Sequence, residues 1–69
     1  MEFWIARDRK TGILCLFNGK PILEGDRFIG GIDEDGYYIN HLVINRKLFP
    51  EVVFENSPQK VKLELMDFI

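Results

Sequence analysis

Hydrophobic and polar residues alternate along this chain over a few residues at a time, and no stretch of helical length shows a helical period. Glu2-Phe3-Trp4-Ile5-Ala6-Arg7 is rich in aromatic and β-branched residues and predicts a first strand. Asp8-Arg9-Lys10-Thr11-Gly12 is a polar loop ending in glycine, which supplies the positive φ that short hairpin loops need. Ile13-Leu14-Cys15-Leu16-Phe17 is apolar throughout, so this second strand must have both faces covered or curl inside a barrel. Asn18-Gly19 is a type I′ hairpin signal leading into Lys20-Pro21-Ile22-Leu23. Pro21 cannot donate to a ladder and restricts that piece to an edge or a very short strand. Glu24-Gly25-Asp26 reads as a loop.

Arg27–Ile32 and Tyr37–Ile44 flank a second glycine turn, Asp35-Gly36. A two-residue loop there sets Ile32 opposite Ile39, and Gly30-Gly31 marks a bulge or sharp bend. Asn45 can cap one helical turn, Arg46-Lys47-Leu48-Phe49, which Pro50 limits. Its two apolar residues would plug one end of the core. The last third predicts a hairpin, Val52-Val53-Phe54-Glu55 with Lys60–Leu65 around the turn Asn56-Ser57-Pro58-Gln59. Pairing Glu55 with Lys60 places Phe54 opposite Val61 and Val52 opposite Leu63 on a core face, with Val53 and Lys62 on the other. The chain ends Met66-Asp67-Phe68-Ile69, apolar enough to pack on its own sheet or on a partner. The sum is an all-β fold of five or six short antiparallel strands, as a curled meander or SH3-like barrel. It has one short helical turn near residues 45–49 and forms a single domain over 1–69.

Composition narrows the class. A chain of 69 residues buries only about 60% of its unfolded surface. Its core supplies roughly 3–5 kcal/mol unless a disulfide, a metal or a partner chain adds to it. Cys15 is the only cysteine and His41 the only histidine, so neither an intrachain disulfide nor a structural zinc site is expected. Oligomerisation is the staple left open, and a strongly aromatic core is its substitute. A net charge of −2, with both signs mixed, argues against a dedicated nucleic-acid surface. No segment reads as a secretory signal or a bilayer span, and a lone cysteine fits a reducing compartment, so a cytoplasmic location is expected.

Candidate chemistry is sparse. Placing Gly36 at the invariant glycine of an EF-hand loop puts Gly31 and Leu42 where acids are required, so Asp33-Glu34-Asp35-Gly36 is read as a solvated hairpin tip. Ser57 precedes Pro58 in a turn and is read as a backbone cap. Cys15 sits in an apolar run without a group that would lower its pKa. The glycines show neither phosphate-binding nor dinucleotide-binding spacing. No enzyme, cofactor or metal is expected.

Two binding readings remain. The first is protein interaction or self-association, with Trp4, Tyr37, Tyr38 and Val53 as candidate surface residues, since Trp and Tyr dominate interface hot spots. Consecutive tyrosines on a strand point to opposite faces, so one of them should reach water. The alternative is single-stranded nucleic acid, stacked on rings and held by Arg7, Arg9, Lys10, Arg46, Lys47, Lys60 and Lys62, should these converge.

Phe3-Trp4-Ile5-Ala6-Arg7-Asp8, Phe17-Asn18-Gly19-Lys20-Pro21, Leu48-Phe49-Pro50-Glu51-Val52 and Val61-Lys62-Leu63-Glu64-Leu65 together carry a resemblance. The chain is similar to a group of short uncharacterised proteins of Bacteroides-group gut bacteria and of their phages and mobile elements. The likeness covers nearly the whole chain and is faintest from Gly25 to Ile44. It implies an intracellular accessory protein of mobile-element origin and brings no catalytic or binding residue with it. The expectation is a small non-catalytic binding module whose partner is a protein or a second copy of itself.

Overall fold

The computed structural model describes residues 2–62. Six strands form in this order: β1 (Phe3–Arg7), β2 (Leu14–Phe17), β3 (Ile22–Glu24), β4 (Arg27–Ile29), β5 (His41–Ile44) and β6 (Gln59–Val61). One 3-10 turn, Phe54–Asn56, precedes β6. The protein is an all-β domain of antiparallel strands. Four of them make a sheet in the order β5-β2-β1-β6, while β3 and β4 pair separately. Among the described residues the sheets do not close into a barrel. The arrangement is a curled meander whose middle hairpin folds out over one face.

The uniformly apolar β2 is explained by that arrangement. Direct partners across a sheet share a face, and the register pairs Ile5 with Leu16 and Arg7 with Leu14. Ile5, Leu14 and Leu16 pack with Val52 on one face, with Phe3, Ile44, Phe49 and Val61 around them. Ala6 and Phe17 pack with Phe28 on the other, bordered by Trp4, Cys15, Ile39 and Phe54. The chain after β5 covers the first face and the β3–β4 hairpin covers the second. Burying a side chain such as Ile5 or Phe17 stabilises by about 1.5–3 kcal/mol, and both are almost wholly shielded. The outer hairpin is tied down through Asp8, whose Oδ1 accepts the Phe28 N–H at 3.0 Å. Arg9 N–H adds a bond to the Asp26 carbonyl, also at 3.0 Å.

Four local expectations are corrected. Asn18-Gly19 is not a hairpin, because β2 already has β1 and β5 as neighbours and neither residue takes a positive φ. Asn18 instead clasps Asn40: its Oδ1 accepts the Asn40 N–H at 2.9 Å and its own N–H donates to the Asn40 carbonyl at 3.2 Å. The tight turn is at Gly25-Asp26, where Gly25 has φ +65 and Glu24 pairs with Arg27. β3 is short and lies at an edge, as Pro21 requires.

The second glycine turn is longer by one residue. Ile32 pairs with Tyr38 rather than Ile39. Asp33 sets this register, since its Oδ1 accepts the N–H groups of Asp35 and Tyr37, each at 2.9 Å. At Gly30-Gly31, where a break in the alternation was expected, β4 has ended and Gly31 takes φ +75. A Cβ on Gly30 would lie 2.0 Å from the Ile39 carbonyl oxygen, so only glycine fits there.

Residues 45–49 form a hydrogen-bonded turn and no helix. Asn45 caps it as its residue type suggests, accepting the Lys47 N–H on Oδ1 at 2.9 Å and the Leu48 N–H on its carbonyl at 3.0 Å. Phe49, excluded from helical backbone by Pro50, swings to φ +50. The helical turn lies at Phe54–Asn56 instead.

The closing hairpin is the fourth correction. Phe54 and Glu55 lie in the 3-10 turn, and Lys60 and Val61 pair with Trp4 and Phe3 of β1. Polar side chains redirect the backbone here. Asn56 Oδ1 accepts the Val53 N–H at 2.8 Å and its Nδ2 donates to the Glu51 carbonyl at 2.8 Å. Ser57 Oγ donates to the Val53 carbonyl at 2.6 Å and accepts the Arg7 N–H at 3.0 Å. Such bonds compete directly with a ladder. Val52 and Val61 still reach the core, by a different route from the one expected. The expected partner Leu63 and the apolar end Met66–Ile69 lie outside the described residues.

Candidate functional site

Arg7 was a candidate nucleic-acid contact, and its guanidinium is occupied inside the protein. Phe3, Ile5 and Arg7 share a face of β1, which aims Arg7 across the end of the core. Its Nε donates to the Val52 carbonyl at 2.6 Å. One terminal nitrogen donates to Gly12 and Arg46, both at 3.0 Å, and the other to Leu48 and Phe49, both at 3.2 Å. A guanidinium has five N–H donors, and here each meets a main-chain carbonyl. This clamp holds the 46–52 segment, including the left-handed Phe49, over the first face of the sheet.

Other basic candidates are also engaged. Arg9 lies over the Phe54 ring at 4.3 Å from its centroid and pairs with Asp26 at 3.4 Å. Lys10 meets the same carboxylate at 3.5 Å. Lys60 pairs with Glu2 at 2.7 Å, and that ammonium, by hydrogen bond and charge, holds the Glu2 carboxyl below its ordinary pKa. Arg46 reaches the Thr11 carbonyl at 3.4 Å, while Lys47 and Lys62 are exposed. The first loop and the 46–49 turn therefore meet at one end of the sheet, through Arg7 and Arg46. Lys60 sits beside Trp4, further along β1.

The candidate interface residues occupy three places. Trp4 is half-buried on β1, with the Lys20 and Lys60 ammonium groups 5.6 and 6.0 Å from its ring centroid. Tyr37 and Tyr38 are 71% and 76% exposed on the 33–38 turn, so both reach water. Val53 is exposed just before the 3-10 turn. Cys15 faces the second core cluster. Burial, and secondarily the charge of Asp8, push its thiol pKa up. His41 stacks against Phe17, with ring centroids 5.8 Å apart.

The surface that sequence reasoning missed is β5. Among the described residues it is an outer strand of the four-stranded sheet, bonded on one side to β2. Leu42 and Val43 point to opposite faces, and both are 60% exposed. The run Asn40-His41-Leu42-Val43-Ile44-Asn45 contains no lysine, arginine, acid or proline. Edge strands are usually guarded by such residues, because their unpaired N–H and C=O groups are templates for another strand. β6, the other outer strand, carries Lys60 with its Glu2 partner. The missing guard was readable in the sequence; that β5 would be an edge was not. Comparison with family models, with curated proteins and with solved structures finds no match to this chain.

Proposed function

We propose that this protein is a small non-catalytic binding module whose partner is a protein, in the first place a second copy of itself, joined along β5. The observation that carries the reading is an uncharged outer strand with apolar side chains exposed on both faces. Antiparallel pairing about a two-fold axis perpendicular to the sheet keeps each face continuous across the junction. With Val43 opposite its mate, Leu42 faces Ile44 of the second copy and His41 faces Asn45. That register opposes apolar with apolar and polar with polar, and sets no like charges against each other. Two four-stranded sheets would become one continuous sheet, adding apolar area to a domain whose own core is modest.

Val43→Lys places two ammonium groups opposite each other at the centre of this contact. In sedimentation velocity at high salt over a range of concentrations, the parent should form a dimer and Val43→Lys should stay monomeric. Val53→Lys, at an exposed valine elsewhere, should dimerise like the parent. A parent that is monomeric at every concentration, or a Val43→Lys variant that dimerises normally, removes the proposal. The single-stranded nucleic-acid reading is disfavoured by the partners already held by Arg7, Arg9, Lys10 and Lys60.

A further inference from the structure

At the end of the sheet where β2 finishes, an apolar groove lies between the β2–β3 connection and the 31–39 segment. Its floor is Ile22, Ile32 and Ile39. Two glycines let these side chains come together. A Cβ on Gly31 would crowd Ile22 Cδ1 at 3.0 Å, and one on Gly19 would crowd Ile39 Cγ1, also at 3.0 Å. Ile22 and Ile32 remain more than half exposed. Glu34 and Asp35 line one lip of this groove. On the other lip, Lys20 leans toward the Trp4 ring.

The opposite end of the sheet presents the complementary charge beside an exposed leucine. Leu14 pairs with Ile44 there, and the chain then turns through Arg46-Lys47-Leu48. Leu48 is 48% exposed at this turn, preceded by two exposed cations. Among the described residues Glu34, Asp35 and Lys47 make no ion pair.

We propose that the Arg46–Leu48 turn of one copy docks into the isoleucine groove of the next, with Leu48 on Ile22 and Ile32 and the two cations facing Glu34 and Asp35. The surfaces lie at opposite ends of one molecule, so the contact is head-to-tail and grows into a ring or an open chain. It uses no residue of β5 and stands independently of pairing there. A leucine flanked by cations, set on an aliphatic floor flanked by carboxylates, gives a weak contact that salt weakens further.

The test uses the full chain carrying Val43→Lys, which removes pairing along β5. Sedimentation velocity at low salt should show concentration-dependent growth past the dimer, and high salt should suppress it. Lys47→Glu or Asp35→Lys, each added alone, should weaken association about tenfold. An equimolar mixture of those two variants should recover it, because the acidic groove of one meets the basic turn of the other. Recovery cannot come from a chain that failed to fold. The proposal is overturned if the Val43→Lys chain is monomeric throughout, if either charge reversal associates as strongly as its parent, or if the mixture does not recover. Loss of dimer in Val43→Lys bears on β5 alone, so the two proposals fail separately.

Discussion

Two stretches of irregular chain, 45–53 and 31–40, are held in place by opposite means. The first is fastened from outside. Arg7 on the central strand β1 reaches carbonyls of residues 46, 48, 49 and 52, and Val52 is buried against Ile5, Leu14 and Leu16. The second is fastened mostly from within. Asp33 bonds the N–H groups of its own turn, and Ile32, Tyr37 and Tyr38 remain exposed. A segment tied to the core by long-range bonds unfolds with the core, whereas one tied to itself can open alone. The difference separates a segment that unfolds with the core from one that can open by itself.

Arg7→Lys tests this contrast most severely. Lysine keeps the charge but replaces a planar fork of five donors with one compact ammonium, which cannot reach five carbonyls at once. Phe49 would lose a support for its left-handed backbone, a conformation that costs about 1–2 kcal/mol in a non-glycine residue. A loss of about 3 kcal/mol is expected, most of what a domain of this size holds. Urea denaturation measures it. A loss below about 1 kcal/mol would show that water replaces the clamp at little cost.

The same contrast explains what could be read from the sequence. β1 and β2 were legible because their apolar residues and the glycine-ended loop between them act locally. The edge position of β3 followed from the missing N–H of Pro21 alone. The last third misled because alternation from Val52 to Leu65 suits a hairpin, while Asn56 and Ser57 supply side-chain bonds that dismantle it. Four of the five partners of Arg7 are main-chain carbonyls about forty residues away, and a carbonyl has no sequence signature. One clue was present: Phe3, Ile5 and Arg7 alternate on one face, which places an arginine where a core residue is due. For the candidate site, the exposure of Val53 and of one of the two tyrosines was legible; both tyrosines reach water because they lie at the 33–38 turn and not within a strand. The open edge at β5 depended on strand order, set by contacts distant in sequence.

Asp33→Ala probes the self-fastened segment and should act more mildly. It removes two exposed hydrogen bonds whose donors water can satisfy. About 1 kcal/mol is expected, and confined to the turn. Amide hydrogen exchange should speed up at Asp35 and Tyr37 and stay unchanged at Ile5 and Leu16. Faster exchange at Ile5 would mean that the 31–40 segment unfolds with the core after all.

Cys15 gives the smallest signal and compares the two segments in one measurement. The thiol lies against the second core cluster, and burial, followed by the charge of Asp8, raises its pKa. Because the thiolate is the reactive form, alkylation at mildly alkaline pH should be slower than for an unstructured thiol. The pH midpoint of the rate should lie higher as well. Asp8→Asn removes the minor cause and should bring the midpoint down slightly, while burial keeps it above the ordinary range. Arg7→Lys should speed alkylation, because loosening the clamp lowers the stability of the sheet that shields the thiol. Asp33→Ala should leave the rate unchanged, since its turn opens without disturbing β2. Equal rates in the two variants would show that the segments are coupled and that the division between a core-tied segment and a self-tied one does not hold.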